Sequence, residues 1–187
     1  MRVCMIYSGW LRTWEGCEAN HRETFSPASD LTIDYNETHA NLMHYKVDKW
    51  GYKANKAPEC IPENTLNMWH NMYQAWSQAP KGFDVYVRNR YDITFSGPID
   101  FSAYQYHDDT VYITTGNDYR DGINDQFAFG NYEAMKKYYS VYLYHSHHFA
   151  QGKPFHSESY LKHTLDLLGV NIVRIPVTNQ IKHIHQI

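Results

Sequence analysis

The sequence predicts an α/β fold, with a mostly parallel mixed sheet flanked by helices, GT-A-like or Rossmann-like in plan, in one domain over residues 1–187. Three observations predict it. Residues 2–7, RVCMIY, form a near-continuous apolar run, as a strand covered on both faces requires. Leu11, Trp14, Cys17, His21 and Phe25 then recur every three or four residues, the spacing of a helix face. Beyond them, strand-like and helix-like stretches alternate along the chain, the pattern of a layered sheet.

The elements follow in order. Ser8 and Gly9 break the first strand, and a helix runs to Phe25. Residues 26–60 combine a strand at Leu31–Tyr35 with polar loop, and Lys, Asn, Ala and Pro at 53–58 predict an exposed connection. A helix starts at Pro62 with Leu66, Trp69, Met72, Tyr73 and Trp76 on one side, and Pro80 and Gly82 end it. Residues 83–95, FDVYVRNRYDITF, read as one strand that begins buried and ends charged. A turn at 96–101 leads to a strand at 110–114, TVYIT, then to a Gly/Asn/Asp loop at 115–125 and a short apolar stretch at 126–130. Asn131 caps a helix through Tyr144, with Met135, Tyr138, Val141 and Tyr142 as its stripe. Residues 145–156 read as a His-rich loop. Ser157 caps a helix to Leu168, and Gly169 stops it. VNIVRIPV at 170–177 is a final strand, and residues 178–187 carry no assignment.

The bulk properties exclude several classes. A net charge of −3 with scattered Lys and Arg gives no electrostatic footprint for nucleic acid. Cys4, Cys17 and Cys60 make an odd count without a close pair, so no disulfide framework is expected, and Cys4 reads as a buried thiol. No stretch approaches the roughly 20 apolar residues of a membrane span. MRVCMIYS lacks the features of a signal peptide, so a soluble cytoplasmic protein is expected, of a bacterium or of a virus-infected host cell. The 17 Tyr and 5 Trp suit an aromatic core or a sugar-binding surface.

Three segments carry chemistry. In SGWLRT, the turn at Ser8 and Gly9 opens a helix whose free N–H groups favour an anion, and Arg12 in its first turn can meet phosphate or carboxylate. Neither a GxGxxG nor a P-loop pattern occurs. In RNRYD, Arg88, Arg90 and Asp92 are spaced by two and share one face of an extended chain. Two readings stay open: an internal salt bridge, or a site where arginines take a diphosphate and Asp92 holds a divalent cation. In GINDQFAFG, Asp125 and Gln126 stand where loop turns into apolar run; the carboxylate grips a sugar hydroxyl or steadies a developing positive charge, or the segment is an Asx turn. HSHH at 145–148 and HIH at 183–185 lack zinc-site spacing and read as solvated or capping histidines, with a His-bound metal hydrolase as the remote alternative. His156 and Glu158 line a cleft or cap the last helix.

Together, SGWLRTWEGCEANHRETF, YVRNRYDITF and INDQFAFGNYEAMKKYY resemble a family of small glycosyltransferases encoded in bacterial and viral surface-glycan gene sets. The shared pattern is G-x-x-R-T, R-x-R-x-D and N-D-Q-F-A-x-G, spanning Ser8 to Gly130, with HSESYLKHTL at 156–165 as a fourth segment. The resemblance implies a GT-A-type fold that takes a nucleotide-diphospho-sugar and passes the sugar to a glycan or other hydroxyl acceptor. It also implies Asp-x-Asp at the end of a central strand to hold Mn²⁺ or Mg²⁺. Here that place reads Arg90-Tyr91-Asp92, with one carboxylate of the pair. The expected roles are nucleotide contact for Ser8, Gly9 and Arg12, diphosphate contact for Arg88 and Arg90, and metal or ribose contact for Asp92. Asp125, with Gln126 beside it, would serve the donor sugar or act as catalytic base. The alternative is a non-catalytic carbohydrate- or nucleotide-binding module.

Overall fold

A computed structural model describes residues 1–8, 11–25 and 62–182, with backbone alone for residues 11–13, 62 and 63. The expected strand at Leu31–Tyr35, the exposed connection at 53–58 and the HIH segment lie outside the described residues, as does Gly9.

The central sheet has five strands in the order β1-β2-β5-β4-β6. These are β1 (Val3–Tyr7), β2 (Val85–Asn89), β4 (Thr110–Thr114), β5 (Ala128–Gly130) and β6 (Asn171–Ile175). β1 pairs in parallel with β2, and β4 with β6, while β5 runs antiparallel to both β2 and β4. One reversed strand therefore sits inside an otherwise parallel sheet. Burial explains the composition: every residue of β1, β2 and β4 is buried, which continuous Val, Ile, Met and Tyr runs provide.

Helices cover the faces. α2 (Pro62–Ser77), α3 (Tyr132–Tyr139) and α5 (Ser157–Leu167) pack on one face with α4 (Val141–Ala150) behind them. Cys4, Ile6, Tyr86, Val111, Ile113, Trp69, Tyr138 and Tyr160 belong to that core. The other face holds Val3, Met5, Val85, Val87 and Phe129 against Phe25, which closes α1 (Glu18–Phe25), and Phe101. Cys4 is buried, as expected.

Several elements differ from their sequence reading. The first helix is two pieces, a 3-10 helix over Leu11–Gly16 and then α1. Residues 83–95 are not one strand. β2 stops at Asn89, the chain turns through Tyr91 and Asp92, and β3 (Ile93–Phe95) joins β7 (Asn179–Ile181) in a separate two-stranded sheet. Asn89 Oδ1 accepts the Arg90 N–H at 2.9 Å, a local bond that takes the backbone donor out of the ladder. The helix capped by Asn131 ends at Tyr139; the cap itself holds, with Asn131 Oδ1 accepting Ala134 N–H at 3.0 Å. The His-rich stretch is helical: His145, His147 and His148 lie on α4. His148 is buried, with Nε2 2.9 Å from Thr164 Oγ1, so its side of the helix packs inward. Ser157 begins α5 rather than capping it; His156 is the N-cap and makes no side-chain cap bond.

Candidate functional site at one edge of the sheet

Strand direction decides which loops meet. β1, β2, β4 and β6 run the same way, so their carboxyl ends share one edge, where ligands of such sheets bind. β5 runs the other way, so its entry reaches that edge too. Ser8 after β1, Arg90 and Asp92 after β2, and Asp125 and Gln126 before β5 therefore gather there. Three segments far apart in the chain come to one place through topology alone.

Ser8 is buried, and its N–H donates to Asn89 O at 3.2 Å. Arg12 lies on the 3-10 helix, and its side chain is outside the described residues. Arg88 lies within β2 and Arg90 just beyond its end, so strand alternation does not extend across the pair. Arg88 is 1% exposed on the α3 side of the sheet. Its Nη1 donates to Ser8 O at 3.2 Å and to Asn89 O, so it ties the ends of β1 and β2 together. Its Nε is buried without a hydrogen-bond partner among the described residues. Burial pulls the guanidinium below its ordinary value; the nearby Tyr139 and Tyr138 oppose that, Arg90 adds to it, and Asp125 opposes it.

Arg90 and Asp92 stand at the rim, with side-chain exposures of 24% and 10%. Nε of Arg90 donates to Asp92 Oδ1 at 2.8 Å and Nη2 to Oδ2 at 2.7 Å. Burial works against both charges, yet the mutual hydrogen bonds and attraction outweigh it, raising Arg90 and lowering Asp92. Asp125 adds to the support for Arg90, and Arg88 to that for Asp92. Behind Asp92, His21 Nε2 is 2.6 Å from Ile93 O and Nδ1 is 3.1 Å from Tyr7 Oη. Those partners fit the neutral ring with Nε2–H donating and the tyrosine O–H donating to Nδ1, and burial, first among the causes, lowers this histidine.

The divalent cation that the resemblance implies meets no ready set of ligands among the described residues. Both Asp92 oxygens are engaged by Arg90, and among the described residues no three His, Cys, Asp or Glu side chains converge. A cation at Asp92 would have to displace the guanidinium.

The loop before β5 is fixed by a polar network that the sequence reading missed. Asn124 Nδ2 donates to Asn179 Oδ1 at 2.8 Å, Thr114 Oγ1 at 3.1 Å and Gly116 O at 3.2 Å, while Asn124 Oδ1 accepts the Gln126 N–H at 2.9 Å. Thr114 Oγ1 also donates to Asn179 Oδ1. Gln126 Oε1 accepts from Asn179 Nδ2 at 2.5 Å, so this side chain holds the loop to β7. Asp125 is 6% exposed, and its backbone carbonyl accepts from Tyr138 Oη at 3.3 Å. Among the described residues no donor reaches its carboxylate within hydrogen-bond distance.

Glu158, in the first turn of α5, is the second buried acid of this neighbourhood, 8% exposed. Burial, then the charges of Asp125 and Asp118, push its carboxyl up to about 8. Buried cation, rim ion pair and two inward acids make an edge that can meet an anion with Arg90 and polar hydroxyls with Asp125. No helix among the described residues is long and apolar enough to cross a membrane. The chain matches no protein-family model and no curated protein sequence.

Proposed function

We propose that the chain is a glycosyltransferase that moves a sugar from a nucleotide-diphospho-sugar to a hydroxyl of a glycan or other acceptor. The observation that carries this reading is the convergence of Ser8, Arg90, Asp92 and Asp125 on the carboxyl-end edge of the sheet. Breaking the anomeric C–O bond leaves extra negative charge on the diphosphate and positive character on the sugar. Arg90 meets the first, with Arg88 supplying charge from behind, where a low local dielectric makes it count for more. Asp125 serves the sugar side or takes the acceptor proton. Asp92 holds Arg90 in place until the diphosphate competes for the fork.

The specific observation favouring a non-catalytic sugar- or nucleotide-binding module is the Arg90–Asp92 pair itself, because each group already satisfies the other. One experiment separates the two. Thermal unfolding and calorimetry with UDP-, GDP- and dTDP-sugars, with and without Mn²⁺, are followed by an assay of donor hydrolysis. The transferase reading expects stabilisation and slow hydrolysis, with loss of turnover in both Arg90→Ala and Asp92→Ala. Binding without turnover establishes the module. The absence of any nucleotide or nucleotide-sugar binding overturns both.

A further inference from the structure

The loop carrying Asp125 and the first turn of α5 are built as one unit. Gly122 permits it: a Cβ there would lie 2.4 Å from the Glu158 carbonyl carbon and 2.5 Å from the Ser159 nitrogen. Ile123 N–H donates to Glu158 O at 3.3 Å, and Ser159 Oγ donates to Asp121 Oδ1 at 2.8 Å. This clamp holds Glu158 against the Asp125 segment.

Glu158 Oε2 is buried and has no hydrogen-bond partner among the described residues. An ionised oxygen in that position is costly, whereas the neutral acid carries its own donor, and that donor needs somewhere to go. The groups facing Glu158 are Asp125 and Asp118 from the loop, Tyr138 from α3 and His156 just ahead of the helix, whose Nδ1 is 3.9 Å from Oε2. Burial and the two loop carboxylates act together, and they hold the acid near 8, so it keeps its proton at neutral pH.

Asp125 adds a second carboxyl group, 6% exposed, whose oxygens accept. A sugar hydroxyl both donates and accepts, so a neutral acid beside a carboxylate matches it at both ends. We propose that Asp125 and Glu158 grip one hydroxyl of a bound sugar, which donates to Asp125 and accepts from Glu158. The inference rests on the nucleotide-sugar reading for the ligand class and is independent of turnover, so it holds for an enzyme or a binding module.

The test is calorimetry of the full chain with UDP, UDP-glucose, UDP-galactose and GDP-mannose at about pH 6.5 and about pH 9, on either side of the Glu158 transition. Wild type, Glu158→Gln and Glu158→Ala are compared, with unfolding curves to establish that each variant is folded. The expected result is a sugar-nucleotide affinity that falls about tenfold from the lower to the higher pH in wild type. Glu158→Gln keeps a donor and should bind alike at both pH values. Glu158→Ala should lose about tenfold at the lower pH while leaving UDP affinity unchanged. Sugar-nucleotide binding that Glu158→Ala leaves intact, or an equal loss for UDP and UDP-sugar, overturns the inference alone. Wild-type protein that binds none of the probes overturns the nucleotide-sugar reading with it.

Discussion

Arg90 closes a two-pronged ion pair on Asp92, two residues along the chain, with both carboxylate oxygens engaged at 2.8 and 2.7 Å. A fork of this kind combines charge with fixed geometry, and lysine does not reproduce it. Arg90→Ala leaves a nearly buried carboxylate without its counter-charge and should cost about 1–3 kcal/mol. Arg90→Lys should recover only part of that. Urea unfolding midpoints for the three proteins check the order, and an Arg90→Ala midpoint equal to wild type contradicts the structural weight given to the pair.

The same pair sets an acid limit. Asp92 titrates below the ordinary carboxylate range because the Arg90 hydrogen bonds and charge outweigh burial. Its contribution is present above the unfolded value of about 3.9 and is lost as pH falls through the lowered folded value. Asp92→Asn should therefore be less stable than wild type at neutral pH, with the gap narrowing steadily below about pH 4. Unfolding free energies measured from neutral to strongly acid pH give the difference curve; a gap that stays constant with pH excludes the assignment.

Glu158 sets the opposite limit. Its folded value of about 8 lies above the ordinary 4.5, so the native state binds the proton more tightly than the unfolded chain. Below the ordinary value both states are protonated and ionisation contributes nothing. As pH rises the unfolded carboxyl ionises first, and stability declines until pH passes the folded value. Glu158→Gln escapes this. It should match wild type near pH 4 and exceed it by about 1–2 kcal/mol above pH 8. A difference that does not grow with pH contradicts the raised acid.

Gly122 is where the loop touches α5, and no methyl group fits between Gly122 and the backbone of Glu158 and Ser159. Gly122→Ala should destabilise the fold by about 1–3 kcal/mol, because backbone on both sides must move. Gly97→Ala, which meets nothing within 4 Å among the described residues, serves as the control and should lie within about 0.5 kcal/mol of wild type. Equal Tm values for the two variants remove the clamp.

The parts of the fold set by local pattern were legible. The strand at Thr110–Thr114, the α2 stripe and the Asn131 cap follow from apolar spacing and from one side-chain oxygen. The misread parts depend on distant partners. Alternation in RNRYD implies a shared face only while the chain stays extended, and Asn89 ends that by bonding the next residue's N–H. β3 owes its existence to β7, more than eighty residues later, which no local window contains. At the site, Asp125 was visible as an acid beside an apolar run. Asn179, which fixes its segment, carries no signal of its own; Tyr138 read as part of a helix stripe and Glu158 as lining a cleft or capping a helix, and only the fold brings them to Asp125. The histidines misled by composition, since a polar-looking HSHH run sits on a helix that buries one ring.

β5 is three residues long and reversed, and it changes what this architecture can vary. A strand laid against the grain delivers an incoming segment to the rim where its neighbours send only outgoing ones. That segment, residues 115–127, needs no crossover helix, so its length and composition are free of the geometry that ties the other connections to the sheet. On the proposed function, ligand preference is open to retuning through this one stretch, provided the asparagine anchors and the glycine contact stay, while the layers beneath keep their packing.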